Sequence, residues 1–154
     1  MDFLLSNGSM LSKIVIYPSM SISSHRKLIP LVWSKIRAGF PSPAEDYVES
    51  GLDLNEFLIQ RPSSTFIVRV EGHSMVLAGI FHGDHLIVDR SIEAKSGNII
   101  LAVVNGEFTV KRLVKNSQGI SLMAESRNFS TIRITEGMEF EVWGVVTSVI
   151  HKTL

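Results

Sequence analysis

The dipeptide Asn105-Gly106 constrains this chain more than any other pair of residues. It separates two long runs of strand character, residues 98–104 and 107–113. A two-residue link between antiparallel strands closes best as a type I′ turn, whose central residues both take φ > 0. Asn and Gly reach that region at least cost. The spacing therefore predicts a hairpin. Residues 65–70, 85–89, 120–125, 131–135 and 140–150 add short β-branched and aromatic runs. Strands at such intervals predict a mainly β fold, a curled sheet or small barrel.

What precedes the strands is of another kind. Residues 1–38 are weakly patterned. Residues 19–24 are polar and serine-rich, and Pro30 interrupts any helix through the apolar residues between Leu28 and Ile36. This reads as a flexible arm with marginal structure that needs the body to bury its apolar side chains. Met10 offers an alternative start. Ala38-Gly39-Phe40-Pro41-Ser42-Pro43 follows. Two prolines one residue apart force extended backbone, and Gly39 carries no side chain to hold a bulky partner away. Such a segment suits a protease cleft, and equally an ordinary linker. Residues 44–59 look helical in pieces. Asp53 with Glu56 fits a capping box, and Leu54, Phe57 and Leu58 form a stripe that Pro62 ends. The organisation expected is an arm, 1–38, and a β domain, 39–154.

Composition removes several function classes. With no cysteine there is no disulfide framework, no thiolate zinc site and no cysteine nucleophile, which fits a reducing cytoplasm. No apolar run approaches the ~20 residues of a membrane span, and the N-terminus carries no signal peptide. The net charge is formally zero but unevenly spread. Residues 1–38 hold five basic groups and one acid, the remainder ten basic and fourteen acidic. A basic arm could lie on an acidic body or touch nucleic acid. The acidic body argues against sequence-specific duplex binding by the main domain.

Catalytic chemistry has one focus, Glu71-Gly72-His73-Ser74-Met75, a serine after an apolar strand in a turn of small residues. A serine nucleophile needs a base. His73 is adjacent, but neighbouring side chains in extended chain point to opposite faces, and there is no Gly-x-Ser-x-Gly elbow. His82, Asp84, His85 and Asp89 could be read as metal ligands, but His82-Gly83-Asp84 is also an ordinary turn entering a strand. A lysine can serve as base once burial leaves it neutral. Lys111 stands in the second arm of the hairpin. By alternation it shares a face with Glu107, Thr109 and Leu113, while Phe108 and Val110 form the more apolar face. Periodicity alone does not select it.

Several motifs at matching spacing do. Residues 40–48 with Leu52-Asp53-Leu54-Asn55, then Gly72-His73-Ser74-Met75 with Gly79-Ile80 and Gly83-Asp84, resemble UmuD-type SOS mutagenesis proteins. So do Leu86-Ile87-Val88-Asp89, residues 106–113 and Trp143-Gly144-Val145-Val146. The broader group is the LexA-like self-cleaving serine proteases, and the resemblance runs from about Ala38 to the C-terminus. It implies Ser74 as nucleophile, Lys111 as general base and Ala38-Gly39 as the bond that is cut, with no cofactor or metal. It also implies a homodimer, cleavage stimulated by a RecA filament on single-stranded DNA, and a shortened form that joins a Y-family, UmuC-type translesion polymerase. His73 and the apolar Val76-Leu77-Ala78 depart from the family's pattern. Rival readings are a non-catalytic β binding domain and the protease half of a LexA-type repressor. The repressor would need a helix-turn-helix, for which 38 residues broken by Pro18 and Pro30 are too few. A signal-peptidase relative would need a membrane anchor.

Overall fold

The computed structural model describes residues 28–32 and 48–154. Seven strands form one antiparallel sheet in the order β3-β4-β9-β5-β6-β7-β8. They are β3 (Thr65–Arg69), β4 (His85–Asp89), β5 (Ile99–Val104), β6 (Glu107–Asn116), β7 (Gly119–Met123), β8 (Ile132–Arg133) and β9 (Phe140–Ile150). The sheet stays open, with β3 and β8 at its edges. The expected hairpin is β5–β6, in register from Ile99↔Arg112 to Val104↔Glu107. Its turn has φ of 49° at Asn105 and 81° at Gly106, as a type I′ turn requires.

The last strand sits near the centre. β9 pairs with β4 on one side and β5 on the other, and the register shifts by a bulge on each side. Gly144 lies between these irregularities. A Cβ there would come within 2.7 Å of Val88 Cγ1 and 3.0 Å of the Asp89 carbonyl oxygen, so only glycine fits.

Both faces of the sheet are covered. Val68, Val70, Met75, Ile80, Leu86, Val88 and Leu101 form one buried cluster, joined by Phe108, Val110 and Trp143. Ile100, Ala102, Leu113, Leu122 and Val145 form the other. This is why β5 is apolar at every position: a strand buried on both sides has no polar face to alternate with. Each fully buried Leu or Ile stabilises the fold by about 1.5–3 kcal/mol.

The region before β3 differs from the expected pieces of helix. Residues Val48–Asp53 are a strand, β2, and helix is confined to α1, Leu54–Leu58. The cap is placed as expected: Asp53 Oδ1 accepts from Asn55 N at 2.8 Å and Glu56 N at 3.4 Å. Within the expected arm, Leu28–Val32 is a strand, β1, antiparallel to β2 from Leu28↔Asp53 to Val32↔Val48. The ladder shifts register between Ile29 and Leu31, at Pro30, which has no N–H to give it. Ala38 and Gly39 lie outside the described residues.

Candidate active site

Ser74 is placed by the loop that follows edge strand β3. Val70 N donates to Asp84 O at 2.8 Å and Gly83 N to Val70 O at 2.9 Å, which pins the two ends of this loop together. Gly72 takes φ of 98°, a value that favours glycine, and turns the chain towards Ser74. Met75 and Ile80 drop into the first cluster and anchor the far side. Between them a single 3₁₀ turn, Val76–Ala78, ends on Gly79 in the left-handed region, and Leu77 N donates to Glu125 O at 2.8 Å. The nucleophile candidate thus sits half-buried on a loop held at both ends.

Lys111 is on β6, in register with Ile100. Its residue is only 7% exposed, although alternation left it off the face of Phe108 and Val110. The reason is the Ser74 loop, which meets Lys111 at a cleft lined by Val70, Met75 and Phe108; Leu113, two residues on, is fully buried too, so that face of β6 is no solvent face. Lys111 Nζ lies 2.7 Å from Ser74 Oγ. At that separation an ammonium donates to the hydroxyl oxygen, or the hydroxyl donates to a neutral amine. Thr109 Oγ1 at 3.0 Å and the Val110 carbonyl oxygen at 3.1 Å are its other partners. Burial pushes the lysine below its ordinary range, because the charged form loses solvation and no carboxylate is among its hydrogen-bond partners.

β3 and β6 are four strand spacings apart in the sheet order, about 19 Å in a flat sheet at ~4.8 Å per step. Val68 of β3 nevertheless shares one cluster with Phe108 and Val110 of β6, so the sheet curls, and the loop beyond β3 carries Ser74 the rest of the way to Lys111. A cleft opens over the pair, lined among others by Val68, Leu101, Phe108 and the exposed Phe129.

The histidines do other work. His73 is exposed and stacks on His82, ring centroids 5.8 Å apart at 16°, and His82 Nδ1 accepts from Gly72 N at 3.2 Å. The four residues that could be read as metal ligands are dispersed, and no cluster of three such side chains occurs among the described residues. Asp84 accepts from Phe81 N and, at 2.6 Å, from His151 Nδ1. Asp89, at the other end of β4, is held by Ser64, Ser91 and Arg61. Thr109 and Phe129 are site residues the sequence reading did not single out, and His82 was read there only as a candidate metal ligand. Only Thr109 had a signal, its shared parity with Lys111.

A family model described as Peptidase S24-like matches residues 30–147. The chain belongs to that family. Among its relatives, protein ImpA of Salmonella typhimurium is 44% identical over 125 residues, which cover 80% of this chain and 84% of ImpA. Protein MucA of Escherichia coli is 42% identical over 136 residues, 88% of this chain and 92% of MucA. The LexA repressor of Delftia acidovorans is 34% identical over 128 residues, 82% of this chain but 56% of the repressor. The resemblance to UmuD-type SOS mutagenesis proteins and LexA-like serine peptidases, read from the motifs, is borne out. No helix among the described residues of this S24-like chain is long and apolar enough to cross a membrane.

Proposed function

We propose that this peptidase cuts its own chain once, between Ala38 and Gly39, with Ser74 as nucleophile and Lys111 as general base. The observation that carries this reading is the 2.7 Å separation of Lys111 Nζ from Ser74 Oγ, with the lysine buried and its ammonium disfavoured. Neutral Lys111 takes the Ser74 proton as Oγ attacks the Ala38 carbonyl carbon. The oxyanion is steadied by main-chain N–H groups of the Ser74–Met75 segment, which donate to no acceptor among the described residues. The tetrahedral adduct collapses, the Ala38–Gly39 C–N bond breaks, and the Lys111 ammonium returns its proton to the departing Gly39 amine. Water, deprotonated by Lys111, then hydrolyses the Ala38 ester of Ser74 and restores the hydroxyl.

The similarity to UmuD-type proteins supports the cellular setting. In that setting a RecA filament on single-stranded DNA stimulates the cut. The shortened chain, as a homodimer in the cytoplasm, serves a UmuC-type Y-family polymerase as accessory subunit in error-prone synthesis.

Mass spectrometry of the aged purified protein tests the cut. Fragments split after Ala38 are expected from the wild type and from neither Ser74→Ala nor Lys111→Ala. Normal cutting in either variant rules out the dyad. Co-purification with a UmuC-type polymerase before and after cleavage tests the partnership.

A further inference from the structure

The Ser74 loop carries a hydrogen bond that the dyad does not use. Gly72, two residues before the nucleophile, donates its N–H to His82 Nδ1 at 3.2 Å. His73, between them, lays its ring on the same imidazole. His82 belongs to the turn that enters β4. That turn is itself tied down, since Asp84 accepts from Phe81 N at 2.8 Å and from His151 at 2.6 Å. The loop therefore has a rigid wall on one side, and His82 is the side chain that joins loop to wall. Among the described residues nothing else holds Gly72 N–H: Val70 is fixed before it and Met75 after it.

We infer that His82 is a positioning residue for Ser74, acting through Gly72, and that it does so only while Nδ1 is an unprotonated acceptor. A neutral imidazole that accepts at Nδ1 carries its proton on Nε2. A second proton turns Nδ1 into a donor facing the donor of Gly72, and the tie is lost. Cleavage then needs two deprotonated groups, Lys111 as base and His82 as acceptor. The other titratable or charged groups gathered about this turn are His73 on the ring, Arg69 and Glu71 on the Gly72 loop, Asp84 with His151, and His85. The inference rests on the Ser74–Lys111 reading.

The test uses the full chain, with self-cleavage followed from pH 5 to pH 10 in wild type, His82→Ala, His82→Asn, His73→Asn and Ser74→Ala. Asn places its Oδ1 where the histidine places Nδ1, accepts from Gly72 and does not titrate. His82→Ala is expected to cut about tenfold more slowly across the range, since a misplaced nucleophile loses one to two orders of magnitude. His82→Asn is expected to recover to within about threefold of wild type and to lose the extra fall on the acid side. His73→Asn should keep that fall. Wild-type rates in His82→Ala overturn the inference, as does equal slowing in Ala and Asn variants. If Ser74→Ala cuts, the dyad itself fails and the inference with it. An inert Ser74→Ala beside a normal His82→Ala removes the positioning role alone. Imidazole ¹⁵N shifts measured on the uncut Ser74→Ala chain give a second readout: the Nε2–H tautomer at His82 is expected, and the Nδ1–H tautomer overturns the inference.

Discussion

Replacing Thr109 by valine preserves the shape of the side chain and deletes one partner of the Lys111 amine. Thr109 Oγ1 stands 3.0 Å from Lys111 Nζ and accepts from the ammonium. A hydrogen bond to a charged group contributes about 1.5–3 kcal/mol, and one between neutral groups about 0.5–1.5. The threonine hydroxyl can also donate to the neutral amine. Only the difference, about 1–1.5 kcal/mol, therefore biases protonation. At about 1.4 kcal/mol per pH unit, the midpoint of the cleavage profile moves by about one unit towards acid. Burial has already pushed Lys111 in that direction, and the substitution adds to it. Well below the midpoint, the neutral fraction of the lysine rises about tenfold for each unit of the move. Loss of orientation lowers the alkaline plateau instead, so the two effects separate on one curve. The assay is full-chain self-cleavage at steps from pH 6 to pH 11, with Thr109→Ser as the control that keeps the wild-type midpoint. A midpoint that moves towards alkali refutes the reasoning. So does a lowered plateau with an unmoved midpoint, which would leave Thr109 as a spacer only.

Two further predictions concern stability. Burial disfavours the Lys111 ammonium in the folded chain, so the unfolded chain binds that proton more readily, and stability on this account rises with pH until the unfolded lysine also loses its proton near 10.5. Lys111→Met should therefore be more stable than wild type in urea at pH 7, with the gap closing towards pH 10.5; a gap that widens sinks the argument. Burial pushes the Asp89 carboxyl up, but bonds from Ser91, Arg61 and Ser64 outweigh it and hold the pKa at about 2 against 3.8. That difference stabilises the fold by about 2–3 kcal/mol above pH 4 and is lost as pH falls through about 2. Asp89→Asn should cost about that much in urea at pH 6 and flatten the acid limb; an unchanged limb assigns acid loss to other carboxylates.

The parts of this molecule that repeat a local rule were legible before any coordinates. Asn105-Gly106 dictated its turn, β9 appeared at Phe140–Ile150 as read, and Asp53 capped a helix where a capping residue was expected. The readings failed where a neighbour outweighed local preference. Residues 44–59 read as helical in pieces, yet β1 offers residues 48–53 a ladder, and a strand that gains main-chain partners outweighs one weak turn of helix. Pro30 argued correctly against helix in the arm but said nothing against a strand with a register shift.

Lys111 is the more instructive case, because alternation was read correctly and still pointed away from the site. The rule that one strand face meets solvent holds for a sheet covered on one side. Here Ile100, Ala102, Leu113 and Leu122 are buried on the other face as well, and no pattern within β6 alone announces it. The nearest signal was one strand away, in the unbroken apolar run of β5, which implies cover on both faces of that strand. That reasoning still does not select the lysine, because Arg112 stands opposite Ile99 of the same β5 and keeps a side chain 30% exposed; only where solvent is lost, as at Lys111, is the cation driven towards neutrality. It cannot select the serine either. The curl that brings β3 to β6 across four strand spacings is a property of the whole sheet, to which bulges such as the two beside Gly144 add twist, and no short stretch of sequence carries it.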